Sequence, residues 1–295
     1  MAGIRELLTQ YTSRLEKAAV DSPRLSAEVL LAHAMGISRN ELIKKLLTSP
    51  EFPVPAPVST SGDGYITRRE SGEPVAYITG VKEFYGRGFF VSPATLVPRP
   101  DTETLIEEAL SFAANHRCPS PSFLDLGTGS GAIAVTMALE LPKWRGTAVD
   151  ISETALQMAR RNAMALGAEN IDFAVCDFLG DTLPQGPYDM VLANPPYVSE
   201  QEYSGLSREV ALYEPKNALV PPYANSDGLE HLYAIMEIAE RLLTPEGLLL
   251  MEMGCTQGEA LLGKAKSSDS WTEPSIISDL AGLPRVFRAR KRKIL

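Results

Sequence analysis

Four consecutive residues, Asn194-Pro195-Pro196-Tyr197, carry the most specific chemistry in the sequence. They follow the apolar run Met190-Val191-Leu192-Ala193, which reads as a strand. Two consecutive prolines end the ladder and stiffen the backbone, because both φ angles are fixed and neither ring nitrogen donates. The Pro195 carbonyl is left as an acceptor beside the Asn194 side-chain oxygen, and Tyr197 offers a flat face. Two acceptors and one aromatic plane suit a planar –NH2 group: each acceptor takes one hydrogen while the ring stacks. An amide or aromatic amine nitrogen is a poor nucleophile, since its lone pair is delocalised. Holding both hydrogens favours pyramidalisation and aims the nitrogen at an electrophile, with no side chain required as a base. A Pro-Pro after a strand is otherwise an ordinary loop; the strand-end position and the turn described next favour the chemical reading.

That second feature is Asp125-Leu126-Gly127-Thr128-Gly129-Ser130-Gly131, which closes an apolar strand and opens a helix. Glycines allow a sharp turn, positive φ and close approach of a ligand to main-chain N–H groups. Alone the pattern is weak, because dinucleotide enzymes use a similar turn. Its acidic surroundings discriminate. Asp125 stands just before the glycines, and Asp150 closes the next strand nineteen residues after Gly131, where a carboxylate accepts both ribose hydroxyls. Asp177 closes a third strand and can face an adenine edge, with Phe178 or Ile151 covering the ring. The bland alternative is that these aspartates only cap the helices that follow. Three acidic strand ends beside a glycine turn favour a nucleoside site. No GxxxxGK[ST] occurs, so a P-loop is excluded as the reading.

The elements that must position these groups alternate. Strands are expected over 123–126, 146–149, 172–176, 190–193 and 248–253, with helices over 102–114, 132–141, 152–166 and 229–243. Such alternation argues an α/β, doubly wound parallel sheet covered on both faces. Upstream, Ile4, Leu7, Leu8, Tyr11 and Leu15 recur at helical spacing. Ser22-Pro23 reads as an N-cap with proline at the first helical position, and Gly36 as a stop. Ser38 and Glu41 have capping-box spacing. The prolines 50, 53, 55 and 57 exclude a continuous helix, and a fourth helix is expected through Tyr65, Ile66 and Arg69. Residues 77–80 and 88–91 read as a hairpin. The expected division is therefore a helical bundle over 1–75, a hairpin linker over 76–98 and an α/β domain over 99–295.

The glycine turn with Asp150 resembles the binding motif of class I S-adenosylmethionine-dependent methyltransferases. The resemblance implies a seven-stranded sheet whose last strand is antiparallel, with residues 275–278 and 286–289 as the final pair. It implies S-adenosyl-L-methionine as cofactor, held by Asp125, Gly127 to Gly131, Asp150, Ile151, Asp177, Phe178 and Asn194. Amino-methylating members carry a tetrad matching Asn194–Tyr197 after strand four and act on exocyclic base amines or a glutamine amide.

Longer blocks narrow the amine. Glu73 to Gly80, Lys82 to Gly86, Val97 to Glu103, Asp227-Gly228-Leu229 and Asp279 to Gly282 resemble the peptide-chain release factor glutamine methyltransferases, and the resemblance runs over most of the chain. It implies transfer of a methyl group to the side-chain amide nitrogen of the glutamine in the Gly-Gly-Gln loop of class 1 release factors. Asn194, Pro195, Pro196 and Tyr197 would hold and transfer to that amide. Arg99 and Glu103 would wall the substrate site; their plain reading is a loop before a helix with an acidic first turn. The helical bundle would grip the release factor outside the loop, since a short loop alone buries little area. The related ribosomal protein L3 glutamine methyltransferases share the tetrad but typically depart from Arg99-Pro100-Asp101-Thr102-Glu103 after the proline. At Phe178 this sequence departs from the tryptophan frequent in the family, which weakens adenine stacking.

Composition agrees without deciding. The chain has 295 residues, 44% apolar and 22% charged, with 28 basic and 37 acidic residues and a net charge of −9. Disorder, collagen and coiled coil are excluded for most of it, and an acidic chain matches a duplex or an anionic membrane poorly. The exception is the basic run Arg285, Arg288, Arg290, Lys291, Arg292 and Lys293, which reads as a solvated edge strand and tail. A DNA or RNA amino-methyltransferase is the alternative from another substrate class, and a non-enzymatic cofactor-binding protein leaves the tetrad without a role. Cys118, Cys176 and Cys255 form no pair with short spacing, and His33, His116 and His231 lack zinc-ligand spacing, so no metal is expected. Without a signal-like start or a spanning apolar run, a cytoplasmic protein, and a monomer, is expected.

Overall fold

The computed structural model describes residues 2–180, 183–223 and 226–293. Helices α1 (Ile4–Lys17), α2 (Pro23–Ala34), α3 (Arg39–Thr48), α4 (Ala56–Glu70) and α5 (Val75–Thr79) come first. A hairpin of β1 (Val81–Phe84) and β2 (Arg87–Phe90) leads to α6 (Glu103–Asn115). Alternation then runs β3 (Ser122–Leu126), α7 (Ala132–Glu140), β4 (Arg145–Asp150), α8 (Glu153–Leu166), β5 (Ile171–Val175) and β6 (Tyr188–Ala193). Short helices α9 (Glu200–Tyr203) and α10 (Arg208–Tyr213) precede α11 (Glu230–Leu242) and β7 (Leu243–Glu252). The chain finishes with α12 (Gly258–Lys266), β8 (Trp271–Ser278) and β9 (Pro284–Lys291).

The fold resolves into two compact units, Met1–Val81 with Ser207–Tyr213, and Lys82–Leu206 with Glu214–Leu295. In the first, Leu8, Tyr11, Leu15, Leu30, Leu31, Leu42 and Ile66 make a fully buried core. The Ser38–Glu41 capping box forms in both directions. Ser22, expected as an N-cap, instead has φ 51 and makes no side-chain cap, so Pro23 alone sets the helix start. Residues 77–79, expected as a strand, are helical. Pro74 is the N-cap residue of that turn and Gly80 ends it in the left-handed region at φ 74, while Ile78 joins the helical core. The tertiary contact overrides the β propensity of Tyr-Ile-Thr. The segment carrying α10 joins this unit although it lies far along the chain. Its Glu209 pairs with the buried Arg69 at 2.7 Å, and Tyr213 Oη lies 3.0 Å from Ser71 Oγ.

The second unit is a seven-stranded sheet in the order β5-β4-β3-β6-β7-β9-β8, with β9 antiparallel to both neighbours. The strands from β5 through β7 run parallel. One face packs Phe123, Met190, Leu192, Leu248 and Leu250 against Ile106, Ala134 and Val135. The other packs Leu124, Val191, Leu249 and Met251 against Leu232, Ile235, Met236 and Leu261. Both faces being dry, β6 is buried at every position.

β9 lies inside the sheet and β8 forms the edge, so the basic run is not an edge strand. Arg285 pairs with Asp279 and Asp101, and Arg288 with Glu108 and Glu273. Arg290, Lys291 and Arg292 donate to the carbonyls of Glu246, Leu243 and Asp269. The cations stitch the end of the sheet together.

Candidate active site

Strands β4 and β6 flank β3 on opposite sides, so the chain order reverses at β3. In open α/β sheets ligands bind outside the carboxyl ends of the strands at such a switch point. A cavity of about 400 Å³ lies there, within the size range of small-molecule sites. Its walls include Gly127, Thr128, Gly129, Ser130, Asp150, Ile151, Asp177, Phe178, Asn194, Pro196 and Arg99. Residues distant in sequence are thus brought together because each follows the carboxyl end of its strand, or, for Arg99, leads into α6.

The glycine turn is held at several points. Gly127 and Thr128 N–H both donate to the Val149 carbonyl at 2.9 Å, and Gly129 N–H donates to Asp150 Oδ2 at 2.8 Å. Asp150 Oδ1 accepts from Ser152 N–H at 2.9 Å, so the aspartate holds the residue that caps α8 and locks the turn. Each carboxylate oxygen keeps a second lone pair for a ligand hydroxyl. Burial raises the Asp150 pKa above the usual aspartate value. A β-carbon added at Gly127 or Gly129 would meet nothing within 4 Å; these two glycines leave the turn open on the ligand side. Gly131 does not line the cavity; its Cα side packs against Ala159 and Val135, which fixes α7 against α8. Asp125 also stays out of the wall. It is fully buried under the turn, and burial pushes its carboxyl up to about 7. An open glycine cradle with a ribose-type acceptor and apolar walls fits an S-adenosylmethionine-sized nucleoside.

At the end of β6, Asn194 and Pro196 face the cavity while Pro195 is buried. Asn194 Nδ2 donates to Thr102 Oγ1 at 3.2 Å. Thr102 Oγ1 donates to Glu252 Oε2 at 2.5 Å, and Tyr197 Oη donates to Glu252 Oε1 at 2.8 Å. Burial and the adjoining Glu252 carboxylate raise the Tyr197 phenol far above its ordinary range, so it stays protonated and donating. Tyr197 does not line the cavity, and its carbonyl accepts from Gln257 Nε2 at 2.9 Å. Arg99 lines the cavity and pairs with the buried Glu214 at 2.6 Å. Glu103 turns away: its Oε1 accepts from Tyr85 N–H at 3.0 Å.

A model described as the PrmC N-terminal domain matches residues 6–80, and one described as a methyltransferase domain matches residues 119–281. A release factor glutamine methyltransferase of Nitratidesulfovibrio vulgaris is 44% identical over 292 residues, covering 98% of this chain and 96% of that protein. One from Koribacter versatilis is 40% identical, covering 98% of each. The chain belongs to the release factor glutamine methyltransferase family. Among solved structures, the catalytic domain of hMettl16, in complex with the MAT2A 3′UTR hairpin 6, superposes with a TM-score of 0.56 at 16% identity. It covers 75% of this chain and 83% of that one; this likeness shows the shared fold.

Three of the blocks behind the family resemblance, around Arg99, Asp227 and Asp279, meet at or beside the tetrad. Asp227-Gly228-Leu229 backs onto Tyr197, where a β-carbon on Gly228 would collide with the tyrosine carbonyl. Asp279 holds Arg285 at 3.0 Å, and the same guanidinium reaches Asp101 at 3.3 Å, joining the last block to the one around Arg99. Several site residues escaped sequence reasoning. Glu252 ends an apolar strand and is 1% exposed, and Asn162 Nδ2 donates to the Ser130 carbonyl at 2.8 Å. His231 lines the cavity. Its ring meets Phe178 edge-on at 5.5 Å. Position within a helix or strand marks none of these by itself. The fold also gathers His116, Cys118 and Asp189 within 4.8 Å at the amino end of β6. There His116 Nε2 lies 2.9 Å from Asp189 Oδ1, a hydrogen-bond separation, and Asp189 Oδ2 accepts from Ser122 N–H.

Proposed function

We propose that this chain transfers a methyl group from S-adenosyl-L-methionine to the side-chain amide nitrogen of the glutamine in the Gly-Gly-Gln loop of class 1 release factors, in the cytoplasm. The observation that carries the reading is Asn194, on the cavity wall one residue after β6, with its amide nitrogen already engaged by Thr102. Its oxygen is thereby presented to an incoming –NH2 group.

S-adenosyl-L-methionine, when bound, supplies an electrophilic methyl on a sulfonium. The chain's own residues do the rest. Asn194 Oδ1 and the Pro195 carbonyl accept the two amide hydrogens, which draws the nitrogen lone pair out of conjugation. The fixed φ angles of Pro195 and Pro196 hold these acceptors in place, so little entropy is lost on binding. Tyr197, tied through its hydroxyl to Glu252, braces the tetrad from behind the cavity wall. Asp150 takes the ribose hydroxyls, and Asp177 and Phe178 face the adenine. The apolar walls around Phe84, Leu96 and Ile133 exclude water while the sulfonium charge is lost. Arg99 walls the substrate side, and the helical unit grips the release factor away from its loop.

Intact-mass analysis of a purified class 1 release factor, incubated with enzyme and S-adenosyl-L-methionine, tests this. We expect the gain of one methyl, localised to the loop glutamine and lost when that glutamine is replaced. Robust methylation of unmodified DNA, RNA or ribosomal protein L3, with none on the release factor, overturns it.

A further inference from the structure

The structure assigns Thr102 and Glu252 as positioning residues that fix which end of the Asn194 side-chain amide faces the cavity. This rests on the proposed methyl transfer, for which only the oxygen end of that amide is useful.

The available hydrogens decide the orientation. Glu252 is 1% exposed and as a carboxylate has no hydrogen to give. Both its oxygens are taken by hydroxyl donors, Tyr197 at 2.8 Å and Thr102 at 2.5 Å. Burial raises its carboxyl above the usual value, and the two hydroxyl donors with the neighbouring Arg285 oppose that shift by favouring the charged form. Thr102 is 3% exposed and owns a single hydroxyl hydrogen, which Glu252 consumes. Its oxygen therefore has only lone pairs for Asn194, so the –NH2 end must turn to it, as it does at 3.2 Å. The carbonyl end of Asn194 is then the one on the cavity side. A hydroxyl with a free hydrogen would serve the flipped amide equally well and present –NH2 to –NH2. Thr102 ends the 3-10 turn Pro100–Thr102, inside the Arg99–Glu103 block for which the sequence suggested only a wall.

The test uses the full-length chain with Thr102→Val, which keeps shape and removes the hydroxyl, and Thr102→Ser, which keeps it. With Thr102→Val, kcat for the release factor falls at least ~10-fold, while KM for the release factor and the calorimetric Kd for S-adenosyl-L-methionine stay within about twofold. Thr102→Ser recovers most of the turnover. A substrate-free reading accompanies it: the Asn194 side-chain –NH2 resonances, slow to exchange with water in the parent and in Thr102→Ser, exchange faster in Thr102→Val. Equal kcat in Thr102→Val and the parent, equal losses in both variants, or unchanged –NH2 exchange overturns the assignment. A parent enzyme inactive on release factors defeats the functional reading instead, and the exchange measurement still judges the wiring.

Discussion

Gly228 and Tyr197 are packed backbone to backbone, the glycine at φ +81 and the tyrosine carbonyl occupying the space of its missing side chain. Gln257 Nε2 donates to that same carbonyl at 2.9 Å. The loop before α11 is thus the back wall of the tetrad. Replacing Gly228 with alanine combines a disfavoured backbone conformation with a clash against main chain that cannot swing aside. The expected result is a fall in methyl transfer of at least ~10-fold, by displacement of a positioned group. The variant also loses about 1–3 kcal/mol of stability. Neither neighbour touches the glycine turn, so calorimetric affinity for S-adenosyl-L-methionine should hold. Equal losses of binding and transfer would show that the wall supports the whole cavity instead.

Asp150 holds the turn through both carboxylate oxygens and lines the cavity. Gly129 N–H and Ser152 N–H each take one. Asp150→Asn keeps the size but turns one oxygen into a donor facing a donor. Hydrogen bonds to charged groups contribute about 1.5–3 kcal/mol, so S-adenosyl-L-methionine affinity should weaken by roughly 10- to 100-fold on that scale. Calorimetry measures the affinity, and a urea midpoint lowered alongside it would reveal the turn's share. Unchanged affinity would remove Asp150 from the ligand site.

The parts of this molecule that were legible in the sequence are those where local pattern and function coincide. The strand–turn–helix at 123–141 and the strand ending at Asn194 announce themselves through hydrophobic runs broken by glycine or proline. What was not legible depends on contacts across the fold. Glu252 reads as the last residue of an apolar strand, and only the meeting of β7 with Thr102 and Tyr197 gives it a task. Residues 77–79 carry β-type side chains, yet Ile78 is drawn into a helical core. The basic run looks like a solvated tail until β8 is seen to lie outside β9.

Asp125 sets one pH dependence. Burial pushes its carboxyl from 3.8 up to about 7, while the unfolded chain releases that proton near the ordinary value. Between these values the folded state binds more protons, so its contribution is fully present at low pH and is lost as pH rises through about 7. Asp125→Asn removes the burden of a buried charge. Relative to the parent, its urea midpoint should gain between pH 4 and about 7 and level off above it, by an amount worth about 2–4 kcal/mol at ~1.4 kcal/mol per pH decade. A gap between the two proteins that does not change with pH would refute this.

His231 sets the opposite one. Its ring is 6% exposed, neither nitrogen has a hydrogen-bond partner among the described residues, and Phe178 and Tyr223 meet it edge-on. Burial lowers its pKa below 6.5. The unfolded state therefore takes up a proton first, and stability falls as pH drops below 6.5 toward the folded value. His231→Phe keeps an aromatic ring against its neighbours and removes both unsatisfied nitrogens. It should stabilise the protein by about 1 kcal/mol near neutrality and remove the loss of stability below pH 6.5 that the parent's histidine causes. Urea midpoints of the parent and both variants across one pH series separate the two groups by sign. A His231→Phe profile that still falls below pH 6.5 as steeply as the parent's would place the acid sensitivity on another residue.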